Sequence, residues 1–351
     1  MGKYYSLGPK NVKRISNSLR FGLSLAIVIL IMLNRTEFRS HTDMTSKTTN
    51  CLSGAIATSG SVYGKTERPL VFFMETSAFQ ATFMSVPGDS EMWWSMSSRY
   101  PWNGVAETLI FVGELFQRAK AKGIRFPDSS PALIDVGANM GQEVVVAGML
   151  GFQSTTFEIL PQSVGTVKLN LKANCVSEDM VTIVNAGVGK STGSMGIGLT
   201  GFSAAKNAAK SPGDFKAQVW SISDYFLKTG PGYVNTSPLL LKLDCETCES
   251  GALAGSYEFL RKFPPSYIMV EVVSNNGLLL EQISVLQNEL GFSHAFILGC
   301  NDRIIHHDTV AAAEKNILAF KNRPFVSSVT ILENFCDIVL IHNSAVDLFP
   351  N

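Results

Sequence analysis

The residues able to do chemistry fall at the ends of predicted strands. Ala132 to Val136 reads as a buried strand carrying an acid, Asp135, and runs into the tight turn Gly137-Ala138-Asn139-Met140-Gly141. An apolar helix follows, from Gln142 to Leu150. A strand that stops in glycine lets backbone approach a ligand closely. The N–H groups that open the next helix favour a negative ligand group. A second strand, Thr155-Thr156-Phe157-Glu158, ends in a carboxylate. It lies about twenty residues on, the spacing at which such an acid meets ribose hydroxyls in nucleotide folds. Together they read as an adenosine-type cofactor site; the plain alternative is a structural strand-to-helix turn.

Three further acids sit at later strand ends. Asp244 closes a fourth strand, Glu246 follows two residues on, and Glu271 lies near the end of a fifth. Carboxylates converging on one crevice raise each other's pKa, which suits one of them to take a proton. The plain readings are a helix cap for Asp244 and a solvated turn for Glu246. Cys245-x-x-Cys248 has no second pair at zinc spacing, so no metal site is expected. A low-pKa thiol, a disulfide in an oxidising compartment, and chance occurrence remain open for it. His294, His306 and His307 are the other candidate bases, each with an ordinary surface or core role as its alternative.

The elements that must position these groups follow in order. Leu70 to Phe73 is a short strand, and Met92 to Trp102 is aromatic and irregular. Val105, Leu109, Val112, Phe116 and Ala119 keep helical spacing up to Lys122-Gly123. Pro161 starts a helix with Val164, Val167 and Leu171 on one face. Val181 to Ala186 is the third strand, so strand, helix, strand, helix, strand makes half of a doubly wound sheet. Gly187 to Gly213, poor in large side chains, is a hairpin, a lid or a mobile loop. Order resumes from Ala217 to Leu227. Leu239 to Asp244 and Tyr267 to Val272 are strands, Glu249 to Leu260 and Leu279 to Leu290 helices, and Gly291 a helix stop. Ala295 to Leu298, Ile317 to Phe320 and Asp337 to Ile341 are late strands.

At 351 residues and 46% hydrophobic, the chain can bury a large core. Its 29 basic and 29 acidic residues balance, but unevenly. Lys3, Lys10, Lys13, Arg14 and Arg20 precede any acid, leaving 24 basic against 29 acidic residues in the body. A mildly acidic body argues against a nucleic-acid partner. The basic leader precedes an apolar run from Phe21 to Leu33, which reads as a signal-anchor with the body across the membrane. A cleaved signal peptide or an organellar presequence is the alternative. The Ser/Thr-rich stretch after it reads as a flexible stem. The six cysteines are too few and scattered for a disulfide scaffold and leave the redox compartment open. Asn235-Thr236-Ser237 and Asn34-Arg35-Thr36 are glycosylation sequons, the second close to the anchor.

From about Ala132 to Phe320 the chain resembles the FkbM-type S-adenosylmethionine-dependent methyltransferases. Ile134-Asp135-Val136-Gly137-Ala138-Asn139-Met140-Gly141 is similar to that family's opening Asp-Val-Gly-Ala-Asn-x-Gly. Phe157-Glu158-Ile159-Leu160-Pro161 with Leu169-Asn170-Leu171 resembles its Phe-Glu-Pro block, and Val184-Asn185-Ala186-Gly187-Val188-Gly189 its Asn-Ala-Ala-Val-Gly. Leu241-Lys242-Leu243-Asp244-Cys245-Glu246-Thr247-Cys248-Glu249 resembles its Lys-Ile-Asp-Val-Glu-Gly-Ala-Glu, with Thr247 for the glycine and Cys248 for the alanine. The resemblance implies an α/β, Rossmann-like, seven-stranded methyltransferase sheet with helices on both faces. It implies S-adenosyl-L-methionine as cofactor, with Asp135, Gly137, Asn139 and Gly141 around its methionine end. Glu158 would bind its ribose hydroxyls, and Asn185 and Ala186 would lie beside its adenine.

The organisation expected is a cytoplasmic leader (1–20), an anchor (21–33), a stem (34–69), an N-terminal extension packing on the core (70–131) and a methyltransferase domain (132–351). The expected activity is methyl transfer to a hydroxyl oxygen of a small molecule or glycan, with Asp244 or Glu246 orienting or deprotonating the acceptor. The expected location is a type II membrane protein of the ER or Golgi with a luminal catalytic domain. A catalytically silent relative and a nicotinamide-dependent oxidoreductase are the competing readings; the second would prefer a third glycine near Val144. The acceptor, the oligomeric state, cleavage of the N-terminal segment and pairing of Cys245 with Cys248 are not legible.

Overall fold

Short runs rich in apolar and β-branched residues form the central strands. They are β3 (Leu133–Val136), β4 (Ser154–Phe157), β5 (Val181–Val184), β9 (Leu240–Leu243) and β10 (Tyr267–Val272). Before them come helix α1 (Ser46–Thr58), the hairpin β1 (Leu70–Glu75) and β2 (Gln80–Ser85), and α2 (Gly104–Ala121). Between and after them lie α3 (Gln142–Met149), α4 (Pro161–Ala173), β6 (Gly187–Val188), β7 (Gly193–Ile197), β8 (Phe215–Trp220), α5 (Glu249–Ala254), α6 (Tyr257–Lys262), α7 (Gly277–Glu289), β11 (His294–Cys300) and β12 (Cys336–Ile341).

The computed structural model describes residues 46–59, 70–76, 78–85, 104–197, 215–228, 230–272, 277–300, 336–345 and 348–349. The leader, the apolar run 21–33, the aromatic stretch from Met92 to Trp102, the strand expected at Ile317 to Phe320, and His306 and His307 lie outside these residues. Among the described residues no helix is long and apolar enough to cross a membrane.

The main sheet has seven strands in the order β11-β12-β10-β9-β3-β4-β5. β12 runs antiparallel to both its neighbours, and the other neighbouring pairs are parallel. Period-two alternation sends Leu133, Leu240, Tyr267, Met269 and Val339 to one core with α2, α3 and α4. Ile134, Val136, Leu241, Leu243, Ile268 and Val270 go to a second core with α5, α6 and α7. Both faces are therefore covered by helices, as apolar parallel strands require.

Two expectations are corrected. Part of the expected stem is helix α1, which buries Leu52 and Ala55 and is bonded through Cys51 to Cys175 beyond α4. Leu109, Ile110, Phe111, Val112, Leu115, Phe116 and Ala119 of α2 are fully buried in the same core as Leu133 of β3. The single helix expected over Glu249 to Leu260 is two, with Gly255 and Ser256 between them and Gly255 packed against backbone. A Cβ there would lie 2.2 Å from the Gly189 carbonyl oxygen. Within the glycine-rich segment, β6 and β7 join β8 in a three-stranded sheet, so its first part is a hairpin-like extension.

Candidate functional site

The carboxyl ends of β3, β4, β9 and β10 meet along one edge of the sheet. After β3 the chain turns through Gly137 (φ 84°), Asn139 (φ 51°) and Gly141 (φ 75°), all left-handed. Gly137 has no room for a side chain, since a Cβ would stand 1.8 Å from the Asp244 carbonyl oxygen. Gly141 lies against Val167 of α4, its would-be Cβ 2.8 Å from Val167 Cγ1. Glycine is thus required at the first position by close approach and at both by backbone conformation.

Glu158, just past β4, reaches back to this turn. Its Oε2 accepts from the Asn139 N–H at 2.8 Å and its Oε1 from the Leu160 N–H at 2.8 Å. It is only 6% exposed, and burial raises its carboxyl to about 7 against those two hydrogen bonds. Asn185, exposed at the end of β5, donates Nδ2 to the Glu158 and Ile159 carbonyls at 2.8 and 3.1 Å, and Ala186 is buried beside it. The turn, Glu158, Asn185 and Ala186 are therefore joined into one ledge.

Asp135 does not lie open at this ledge. It is completely buried, in cross-strand register with Lys242 of β9. Lys242 Nζ stands 3.3 Å from Asp135 Oδ1, 3.4 Å from Asp244 Oδ2 and 3.9 Å from Glu143 Oε1, and donates to the Gly137 carbonyl at 3.1 Å. Thr156 donates to Asp135 Oδ2 at 3.1 Å. Burial alone would push Lys242 down, but the three acids around it hold it well above the usual lysine range. Burial raises Glu143 to about 7. Lys242 thus ties the first-strand acid, the turn and Asp244 together from beneath.

The loop after β9 carries Asp244 and Glu246. Asp244 is partly exposed and Glu246 exposed. Glu246 (φ 57°) and Thr247 (φ 91°) are left-handed, and Cys245 and Cys248 on either side form a disulfide. Buried Glu249 closes the loop, its Oε1 accepting from the N–H of Cys245 at 2.8 Å and of Thr247 at 3.3 Å. Burial lifts Glu249 to about 7. Glu271 sits in register with Asp337, whose Oδ2 accepts from Thr108 Oγ1 of α2 at 3.1 Å. Burial, then the charges of Asp244, Asp337, Glu246 and Glu249, raise Glu271 to about 10. Among the described residues no three His, Cys, Asp or Glu side chains form a group that would hold a metal ion.

His294 opens β11 opposite Ile341, and Ile341 also pairs with Tyr267 at the start of β10. This places His294 at the far edge of the sheet and removes it as a base for this site. Two positioning residues were not singled out from the sequence. Asn170 of α4 is completely buried; its Oδ1 accepts from the Met84 N–H, and its Nδ2 donates to the Met84 and Met140 carbonyls at 3.1 and 2.8 Å. Asn174, one helical turn on, accepts from the Thr82 N–H and donates to the Thr82 carbonyl at 2.7 and 2.6 Å. The two asparagines act as a neighbouring strand for β2 and hold it beside the turn. Only the four-residue spacing of two amides on a helix face signals this.

No protein-family model and no curated protein matches the chain. Solved structures give distant likenesses. The methyltransferase FkbM of Methylobacillus flagellatus KT is 13% identical, covering 67% of this chain and 57% of that one, at a TM-score of 0.35. The chain thus spans little more than half of that protein. A SAM-dependent methyltransferase of Agrobacterium tumefaciens is 7% identical over 78% of this chain and 70% of that one, at 0.41. The magnesium protoporphyrin IX methyltransferase of Synechocystis PCC 6803, solved with bound SAM, is 9% identical over 73% and 92%, at 0.37. Likenesses this distant decide nothing about this chain's chemistry.

Proposed function

We propose that this protein is an S-adenosylmethionine-dependent methyltransferase acting on a hydroxyl oxygen of a small molecule or glycan. One observation carries the reading: the Glu158 carboxyl group, at the carboxyl end of β4, faces the glycine turn after β3 and hydrogen-bonds Asn139 of that turn. A carboxylate beside a glycine turn at this edge of a parallel sheet suits the ribose of an adenosine-type ligand. Gly137, Asn139 and Gly141 offer backbone for close approach, and Asn185 and Ala186 form the neighbouring wall. Asp135 acts from below, through Lys242.

S-adenosylmethionine, when bound, supplies an electrophilic methyl group on a sulfonium. The chain's own residues hold the acceptor in line with that methyl, and alignment of this kind accounts for much of a displacement's rate. Asp244, partly exposed and anchored by Lys242, or Glu246 beside it, takes or orients the acceptor proton. The two disulfides, Cys51–Cys175 and Cys245–Cys248, fit an oxidising compartment. With the apolar run 21–33 they support a luminal body held by an N-terminal anchor. Asn235 is exposed on a loop tied to Ser130 before β3, at the opposite edge from the turn, where a glycan would leave the ledge open.

A second reading, a silent cofactor-binding relative, draws on Thr247, which occupies a left-handed position where glycine is expected. Calorimetry with S-adenosylmethionine and with NAD tests the first reading: binding of the former, lost in Glu158→Ala, is expected, and preference for NAD overturns it. A methyl-transfer assay across hydroxylated sugars and lipids separates enzyme from silent relative. If Asp244→Asn and Glu246→Gln both retain full turnover, neither is the base. Glycosidase sensitivity at Asn235, absent in Asn235→Gln, reports the luminal face.

A further inference from the structure

Two departures from the pattern of the resembled family, Thr247 and Cys248, meet in one loop. Thr247 is β-branched and left-handed, at φ 91°, next to left-handed Glu246 at φ 57°. A β-branched residue resists this conformation, because its Cβ substituents crowd the neighbouring backbone. Cys245 and Cys248 bracket these two residues and are covalently joined, with Cα atoms 5.4 Å apart. Both cysteines also pack against the second core. The loop cannot move without disturbing the ledge, since the Asp244 carbonyl fills the space where a Gly137 side chain would be.

We infer that the Cys245–Cys248 disulfide is a positioning device for the proposed site. It holds Thr247 in a backbone conformation that glycine would adopt unaided, and thereby fixes Asp244 against the Gly137 turn and Glu246 at its rim. The inference rests on the methyltransferase reading. Glu249 assists from inside by accepting from the backbone N–H groups of both Cys245 and Thr247. The bridge and the threonine are therefore coupled: the threonine is tolerable because the bridge is there, and the bridge is dispensable once glycine replaces the threonine.

The test compares the full-length oxidised protein with Cys245→Ala/Cys248→Ala and with the same double variant carrying Thr247→Gly, by titration calorimetry with S-adenosylmethionine. The double variant is expected to bind about tenfold more weakly, as loss of one such backbone restraint implies. Adding Thr247→Gly is expected to restore affinity to near the parental value. Unchanged affinity in the double variant overturns the inference, and so does a loss that Thr247→Gly does not recover. Amide hydrogen exchange across 244–249, with Cys51→Ala/Cys175→Ala as control, gives a second readout that needs no ligand. Protection there is expected to fall in the Cys245→Ala/Cys248→Ala variant and not in the control; equal protection in all three overturns the inference. If the parental protein itself does not bind S-adenosylmethionine, the functional reading falls, and the exchange result alone decides on the clamp.

Discussion

Lys242 is 3% exposed and stands among three carboxylates, Asp135 across the β3–β9 register, Asp244 just past its own strand and Glu143 on α3. A buried cation shared this way is costly to remove, because the buried carboxyl groups of Asp135 and Glu143 lose a compensating charge. Lys242→Met is expected to destabilise the protein by about 3–5 kcal/mol, read as a lower denaturation midpoint in urea. Glu271 titrates in the opposite sense from a salt-bridged acid. Its folded pKa is raised from 4.5 to about 10, so between those values the folded state holds a proton that the unfolded state has released. Stability therefore falls as pH rises through that window. Glu271→Gln is expected to flatten this dependence, measured by denaturation at several pH values; an unchanged slope would place its origin elsewhere. Glu158, raised to about 7, must be ionised to accept fully from a ribose. Cofactor affinity is expected to fall as pH drops below about 7, and Glu158→Gln to lower affinity while removing that dependence, both read by calorimetry.

At the scale of elements, α4 does two tasks with one face. Val167 and Leu171 enter the core, while Asn170 and Asn174 satisfy the backbone of β2. Asn170→Ala strands the buried Met84 N–H and two carbonyls, and unmet buried groups cost about 1–3 kcal/mol each. A fall in melting temperature is expected, with weaker cofactor binding because the Met140 carbonyl in the turn loses its donor. The apolar spacing made α4 readable as a helix, but Asn170 belongs to its buried side, which a pattern of large apolar residues does not mark. The opposite failure occurs at Gly255. The run from Glu249 to Leu260 has helical character throughout, and it breaks where Gly255 packs against Gly189 and Lys190, far away in sequence.

For the whole molecule, the Cys51–Cys175 bridge closes a span of 124 residues and fastens α1 to the segment after α4. Removing a bridge over so long a loop costs about 2–5 kcal/mol. Cys51→Ala/Cys175→Ala is expected to lower the unfolding free energy of the oxidised protein by that amount, measured by urea denaturation, while leaving that of the reduced protein unchanged. Scattered cysteines gave no hint of this, since pairing depends on which helices become neighbours. The N-terminal residues from α1 onward accordingly belong with the sheet, where composition alone had suggested a stem for part of them. Their Ser and Thr content disfavours independent folding, but docking on α4 supplies the burial that the segment lacks by itself.

Local pattern determined the strands at 133–136, 240–243 and 267–272, the helices α3 and α4, and the glycine turn facing a carboxylate. Each of these is encoded within a few residues, by which side chains are apolar and where glycine interrupts them. Tertiary structure alone decided that Asp135 is buried against Lys242, that Asn170 serves a strand 86 residues earlier, that His294 stands at the far edge, and which cysteines join. Those facts follow from strand order and register, which set segments far apart in sequence side by side and leave no mark in the local pattern of either.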